Sequence, residues 1–284
     1  MHDAESNRPK IVVSIVVPMC NEEESIGILR LKLYLLQERL KSRFAVEYCL
    51  VDDGSTDATG ELMTSVVPLG AACVPIRHAS NRGLGAAIRS GLQVASGSIV
   101  CTIDADCSYP PEDLASLIDV VLSSSADVAV ASPYHPLGGV VGVKPWRILL
   151  SRQCSLLYRL VSPLKLHTYT SIFRAYRGTV ARQLEFQSDG FVSAVEMLFC
   201  AASLGYTVQE VPMLLQARQR GYSKIRIVRT IWTHLVMMSA LLKHATAYRL
   251  RRRRHRFTSL YSAAVGTRTI PAPVSLHKDE RSIR

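Results

Sequence analysis

Residues 100–106 of this 284-residue chain read VCTIDAD, an apolar run that ends in two aspartates one residue apart. Short apolar, β-branched runs are typical of strands buried on both faces of a parallel sheet. Asp104 and Asp106 then fall at the carboxyl edge of the sheet, where open α/β sheets bind ligands. Carboxylates suit Mg²⁺ or Mn²⁺, which proteins usually hold together with a substrate phosphate. A polar strand end without a ligand would give the same pattern. Other segments of the sequence must therefore show whether a metal site is present.

Two further apolar runs also end in acidic residues. Residues 11–17, IVVSIVV, are followed by a proline and then by Glu22, while residues 48–51, YCLV, are followed by Asp52 and Asp53. Segments with helical spacing come after each run, and this alternation predicts an α/β fold with a mostly parallel sheet flanked by helices. Stabilisation of a helix dipole would account for Glu22, but it does not account for the aspartate pair.

A glycine-containing segment precedes the strand at 100–103. Residues 81–87, NRGLGAA, open an alanine-rich predicted helix, and backbone amides at a helix N-terminus can bind phosphate. The dinucleotide pattern Gly-x-Gly-x-x-Gly is incomplete because Ile88 stands at its last position. A Rossmann dehydrogenase is therefore disfavoured.

The charge and the cysteine content indicate which partners and which cellular compartment to expect. The formal net charge is +11, with a basic cluster at 249–256 that fits anionic lipid, nucleic acid or a solvated tail. No base-reading module accompanies the cluster, so we do not expect a nucleic-acid partner. The seven cysteines contain no Cys-x-x-Cys pair, which favours a reducing compartment over a disulfide framework. Residues 1–10 lack the apolar core of a signal peptide, and we expect a cytoplasmic protein.

A second helical pattern lies near the end of the chain. Ile227, Ile231, Leu235, Met238 and Leu242 recur at helical spacing among basic residues. The segment is too polar for a membrane span, but it suits an amphipathic helix at a membrane interface or an ordinary core helix.

Several short motifs, in order and spacing, resemble family 2 glycosyltransferases, particularly dolichyl-phosphate mannosyltransferase and related polyprenyl-phosphate sugar transferases. These motifs are Pro18-x-x-Asn21-Glu22, Val51-Asp52-Asp53-Gly54-Ser55, Asn81-Arg82-Gly83-Leu84-Gly85, Asp104-Ala105-Asp106, Trp146-Arg147 with Ser151, Thr170-Ser171-x-Phe173-Arg174, and Arg218 with Gly221-x-Ser223-Lys224. Their common order makes the resemblance specific.

The resemblance implies a GT-A fold, a Rossmann-like sheet with the nucleotide over the carboxyl ends of its first strands. The residues implied to bind a nucleotide diphosphate sugar are Pro18, Cys20, Glu22, Val51, Asp52, Asp53, Asp104, Ala105, Asp106, Arg218 and Lys224. Of these, Asp104, Asp106, Arg218 and Lys224 are the implied catalytic residues. Asp104 and Asp106, with Ser108, would hold Mg²⁺ or Mn²⁺ on the diphosphate.

The acceptor implied by the resemblance is a polyprenyl or dolichyl phosphate at the membrane surface. Arg147, Arg152 and Arg174 would bind its phosphate, and a hexose, mannose or glucose, would be transferred with inversion. A lipid phosphate is already ionised near neutral pH, so no general base is assigned. The resemblance thus implies an enzyme associated peripherally with the cytoplasmic face of an anionic membrane.

Four segments follow from these interpretations. We expect a flexible N-terminus at 1–9, a glycosyltransferase domain at 10–224, an amphipathic interfacial helix at 225–248 and a basic, disordered tail at 249–284. The sequence leaves the oligomeric state open.

The chain departs from the family pattern in several places. Cys20 replaces a usual tyrosine, Pro133 a usual arginine, Thr168 a usual aspartate and Ile172 a usual glycine. Most of these changes fall on the acceptor side. They leave two alternatives: transfer to a soluble or non-phosphate acceptor, and a non-catalytic binding subunit that keeps the fold.

Overall fold

The computed structural model describes residues 10–123, 126–218, 220 and 227–250. The strands are β1 (Ile11–Met19), β2 (Phe44–Asp52), β3 (Ala72–Arg77), β4 (Ile99–Thr102), β5 (Val128–Ser132), β6 (Gly139–Val141), β7 (Arg174–Arg177), β8 (Val208–Pro212) and β9 (Leu214–Gln216). The helices are α1 (Ile26–Leu40), α2 (Thr59–Leu62), α3 (Leu84–Val94), α4 (Leu114–Ser123), α5 (Pro145–Val161), α6 (Gly178–Ala181), α7 (Ser193–Ser203) and α8 (Ile227–Leu250). The predicted N-terminal segment 1–9, Lys224 and the tail from 251 onward lie outside the described residues.

Seven strands form one sheet in the order β3-β2-β1-β4-β7-β5-β8. Only β7 runs antiparallel to its neighbours within this sheet. This arrangement confirms the predicted α/β fold with a mostly parallel sheet. Strand β3, which contains Pro75, lies at the edge, where a missing ladder donor is tolerated.

The strand order reverses at β1. Strands β2 and β3 lie on one side of β1, whereas β4 pairs with its other side. In open α/β sheets such a reversal leaves a crevice at the carboxyl edge, because the loops leave neighbouring strands in opposite directions. The segments that follow β1 and β4 therefore border one crevice.

Two hydrophobic cores cover the two faces of the sheet. Ile15 packs with α1 and α4 on one face, whereas the adjacent Val16 packs with α3 and α7 on the other. Alternate side chains of a strand point to opposite faces, so an unbroken apolar run is needed when both faces are covered. This double burial explains the composition of β1.

Strand β1 continues one residue beyond the proline that we expected to end it. Pro18 pairs with Val51 of β2, and the strand ends at Met19. Strand β4 pairs with β1 only as far as Val16, so Pro18 lies beyond the ladder on that side. The missing N–H of the proline is not needed there.

A separate two-stranded parallel ribbon, β6 and β9, pairs Gly139 with Leu214 and Val141 with Gln216. The N–H of Ala217 donates to the carbonyl of Val141 at 2.9 Å, which extends the pairing by one step. The ribbon thus holds the segments that leave its two strands side by side.

Helix α8 packs against α5 through a face different from the predicted apolar stripe. Met237, Ala240 and Leu241 are buried, whereas Ile231 and Leu235 of the predicted stripe are exposed. No helix in the described part of the chain is long and apolar enough to cross a bilayer.

The contact between α5 and α8 contains a partly buried histidine. His234 Nδ1 lies 2.8 Å from the hydroxyl of Tyr158, and burial lowers the pKa of His234 to about 4. The unfolded chain gains this proton near pH 6.5, so stability falls as the pH drops from about 6.5 to 4. We expect this one group to remove up to about 3 kcal/mol across that window.

Urea unfolding of the wild type and of His234→Asn at pH 7, 6 and 5 checks this expectation. The variant should lose less stability on acidification than the wild type, because asparagine does not titrate. Equal losses in the two proteins would contradict the assignment of the proton to His234.

Candidate active site

A cavity of about 700 Å³ opens at the carboxyl edge of the sheet, next to the reversal at β1. Four acidic residues from the ends of three strands line it: Glu22, Asp53, Asp104 and Asp106. The sequence predicted that these strand ends meet, and the structure brings them together.

The two aspartates after β4 sit in a tight turn. Cys107 has a φ of 54°, a left-handed conformation that reverses the chain, and Asp106 Oδ1 accepts a hydrogen bond from the N–H of Ser108 at 2.9 Å. Burial and the neighbouring Asp106 raise the pKa of Asp104 to about 8. Two carboxylates held this close resist simultaneous ionisation, and a cation between them would offset that repulsion.

Arg218 bridges two of the carboxylates in the described residues. Its Nη2 lies 2.9 Å from Asp106 Oδ2 and 3.2 Å from Glu22 Oε1, and its Nε donates to Asp106 Oδ2 at 3.0 Å. Asp106 and Glu22 raise the pKa of Arg218, although its partial burial opposes them. Arg218, one of the predicted catalytic residues, therefore lies next to Asp106, one of the predicted metal ligands.

Asp53 organises the loop before α3. Its Oδ1 accepts from the N–H of Arg82 at 2.9 Å and lies 2.7 Å from His78 Nδ1, while its Oδ2 accepts from the N–H of Gly83 at 2.7 Å. Gly85 N–H donates to the carbonyl of Asp189 at 2.7 Å. The amides of Arg82, Gly83 and Gly85 are therefore already paired with Asp53 and Asp189, while phosphate binding by this segment stays a prediction.

His78 is a buried residue that the sequence reasoning missed. Its Nε2 lies 2.9 Å from the hydroxyl of Ser90, opposite its contact with Asp53. Its position directly after an edge strand, 25 residues from its partner, gave no motif to detect.

Val51 and Asp52 stand behind the cavity rather than in its lining. Asp52 is fully buried, accepts from the N–H of Ser55 at 3.0 Å and lies 3.0 Å from Nε of Arg77. Gly60 is needed beside this pair, because an added Cβ there would fall 2.4 Å from Asp52 Oδ2. Asp52 therefore stabilises the loop that follows β2.

The remaining predicted donor-side residues line the cavity. Pro18, Cys20, Ala105 and Ser108 are all in its wall. The Asn81 amide donates to the sulfur of Cys20 at 3.0 Å, so a thiol and an amide stand where the family pattern has a tyrosine.

The three predicted acceptor-side arginines occupy different environments. Arg147 lines the cavity and lies over the ring of Trp146. Arg152 is exposed outside the cavity lining, with its guanidinium 5.2 Å from the ring centre of Tyr134. Arg174 is fully buried and donates to the carbonyl of Tyr169 at 3.0 Å, so it has no exposed surface with which to contact an acceptor.

Lys144 also lines the cavity, three residues before Arg147. The sequence reasoning missed it because no motif contains it.

The donor set fits a hard divalent cation that shares its coordination with a substrate. The described residues contain no group of three or more acidic, histidine or cysteine side chains able to hold a metal. Asp104 and Asp106, with Ser108 beside them, supply oxygen ligands only. Mg²⁺ and Mn²⁺ typically bind one or two carboxylates and complete their shell with phosphate and water.

Residues 14–184 match the family model described as Glycosyl transferase family 2. The chain belongs to this family. It is therefore a glycosyltransferase, which confirms the predicted enzyme class and the resemblance seen in the motifs.

Two curated relatives carry names from the polyprenyl-phosphate branch. Polyprenol monophosphomannose synthase of Mycolicibacterium smegmatis is 31% identical over 231 residues, which is 78% of this chain and 84% of the relative. Dolichol-phosphate mannosyltransferase of Pyrococcus furiosus is 30% identical over 81% of this chain, and the aligned part spans 64% of its length.

Solved structures confirm the GT-A fold. Glucosyl-3-phosphoglycerate synthase from Mycobacterium tuberculosis, in complex with Mn²⁺, UDP and glucosyl-3-phosphoglycerate, superposes with a TM-score of 0.58 and 20% identity, covering 83% of this chain and 80% of that one. The same enzyme with Mg²⁺ and UDP gives a TM-score of 0.57 at 19% identity, covering 83% and 79%.

Asp53→Ala should destabilise the protein by about 2–4 kcal/mol, because it leaves two backbone amides and a buried histidine without their acceptor. Urea unfolding measures the loss. Asp119→Ala is the control, because Asp119 pairs with Arg43 at 2.7 Å on the exposed surface. That change should cost no more than about 1 kcal/mol. Equal losses for the two variants would contradict the role given to Asp53.

Proposed function

We propose that this enzyme transfers a hexose, mannose or glucose, from a nucleotide diphosphate sugar to a polyprenyl phosphate at the cytoplasmic face of a membrane. The observation that carries the proposal is that one cavity is lined both by carboxylates and by cations. Asp104 and Asp106 supply carboxylates, and Lys144 and Arg147 supply exposed cations. A sugar diphosphate with its metal suits the carboxylates, and an anionic acceptor suits the cations. The names of the two curated relatives agree with this choice.

On the donor side, the enzyme binds and orients the diphosphate. A Mg²⁺ or Mn²⁺ held by Asp104 and Asp106 would act as a Lewis acid toward the departing diphosphate. Arg218 stands beside these carboxylates and offers N–H donors that fit phosphate oxygens. Lys224, which lies outside the described residues, stays a predicted second cation.

On the acceptor side, the enzyme must position the acceptor phosphate and need not remove a proton from it. A phosphate oxygen of the acceptor attacks the anomeric carbon, a new carbon–oxygen bond forms, and the bond to the diphosphate oxygen breaks with its electron pair. The attacking oxygen is already ionised near neutral pH, so the enzyme needs no general base. Attack from the side opposite the leaving group inverts the configuration at that carbon.

The membrane assignment rests on the surface of α5 and α8. Leu149, Leu156 and Leu160 of α5 and Trp232 and Leu235 of α8 are exposed large apolar side chains. Monomeric soluble proteins rarely expose such clusters, and helices with basic and apolar residues lie at membrane interfaces. Because α5 begins at the cavity, a lipid acceptor held in the bilayer would reach Arg147 in the cavity wall directly. We propose that these helices, rather than α8 alone, rest on the bilayer.

Asp104→Ala combined with Asp106→Ala should reduce transfer by about a hundred- to a thousandfold, because the cation loses its protein ligands. The measurement is the amount of radiolabelled organic-soluble product formed from GDP-mannose or UDP-glucose and polyprenyl phosphate with Mg²⁺ or Mn²⁺. Glu38→Gln, an exposed carboxylate on α1, is the control and should keep full activity. Undiminished transfer by the double variant would contradict the mechanism.

The same assay separates the two alternatives for the acceptor. Transfer to polyprenyl phosphate, and none to water-soluble acceptors, supports the proposal. Transfer in the absence of any lipid would favour a soluble acceptor instead.

Leu160→Glu combined with Trp232→Glu should abolish sedimentation of the protein with vesicles that contain anionic lipid, because two charges would enter the apolar surface. Both residues are strongly exposed, at 70% and 67%. Leu69→Glu is the matched control, since Leu69 is a fully exposed leucine in the loop before β3. Vesicle binding by the double variant at the wild-type level would contradict the membrane surface.

A further inference from the structure

The positive charges in the cavity differ in how far they are compensated. Arg218 is paired with Glu22 and Asp106, so two carboxylates already balance its charge. Lys144 and Arg147, by contrast, form no ion pair with a carboxylate of the described residues. Both are solvent-exposed, and both line the cavity. Uncompensated cations in a cavity raise the local concentration of an anionic ligand.

The ribbon of β6 and β9 brings the segment that leads to Lys144 beside the segment that leads to Arg218. Val141 pairs with Gln216, and the next residues along the two strands are Gly142 and Ala217. Arg218 comes one residue after this last pair, and Lys144 comes two residues after it. Gly142 has a φ of 73°, and an added Cβ would lie 3.2 Å from Cβ of Ala217, so the two segments leave the ribbon in close contact.

We propose that Lys144 binds the phosphate of the acceptor together with Arg147. This inference rests on the proposed function and names a further binding residue for it. A phosphate monoester carries a charge of about −1.5 to −2 at neutral pH, which one arginine does not balance. The N-terminus of α5, a 17-residue helix, adds positive potential at the same place.

Lys144 matters for the acceptor side because position 133 does not supply a cation. The family resemblance predicts an arginine there, but the residue is a buried proline with no donor. Lys144 supplies a cation from a different element, so this enzyme keeps two cations on the acceptor side by another route.

The test compares Lys144→Ala and Lys144→Arg with Arg159→Ala. Arg159 lies on the same helix outside the cavity lining, so its loss changes the charge of α5 without changing the cavity. Steady-state kinetics in detergent should show a KM for polyprenyl phosphate raised about tenfold in Lys144→Ala. The KM for the nucleotide sugar should stay unchanged. Lys144→Arg should remain near the wild type, and so should Arg159→Ala.

A binding measurement without turnover makes the result independent of catalysis. Calorimetry with geranyl phosphate and with geraniol compares the same lipid with and without its phosphate. Wild type and Lys144→Arg should prefer the phosphate, and Lys144→Ala should lose about tenfold of that preference. An unchanged preference in Lys144→Ala overturns the inference about Lys144 while the proposed function stands. A wild type that does not distinguish geranyl phosphate from geraniol overturns both, and the wild-type result alone reveals it.

Discussion

Four carboxylates crowded at one edge of the sheet are the constraint on which the rest of the site depends. They are brought together because β1, β2 and β4 run parallel, so the segments that follow them leave the sheet at the same edge. Each must be compensated differently. His78 and two backbone amides serve Asp53, whereas Arg218 serves two others. Burial and the neighbouring Asp106 raise the pKa of Asp104. The loop at 81–83 and the segment after β9 lie where they do because these carboxylates need donors.

The acidic edge could be predicted from the sequence because its signal is local. An apolar run followed by charge marks a strand and its end, as at 100–106, and parallel strands end together. The partner of Asp53 could not be predicted, because His78 lies 25 residues away and belongs to no motif. Arg218 lies 112 residues from Asp106, and only the family resemblance predicts that it acts there. Such pairings depend on how loops return to the sheet, which no local periodicity encodes.

The acceptor side was harder to predict, because the sequence does not show whether a given arginine side chain is exposed or buried. Arg147, Arg152 and Arg174 looked equivalent as cations, yet one lines the cavity, one covers a tyrosine and one is fully buried. Arg174 is the first residue of β7, where it pairs with Thr102 of β4 and donates to the carbonyl of Tyr169. Helix α8 gave a similar lesson, because Ile231, Leu235 and Leu242 of its predicted apolar stripe are exposed. Its packing face contains Met237, Ala240 and Leu241, which the stripe did not include.

The ribbon of β6 and β9 joins two segments that lie far apart in the sequence and that both lead into the cavity. Lys144 follows one strand and Arg218 follows the other, so the register that ends at Val141 and Gln216 fixes where both segments leave the ribbon. A one-residue insertion or deletion in either strand would turn every following side chain to the opposite face. The length of the ribbon is therefore under stricter constraint than its composition.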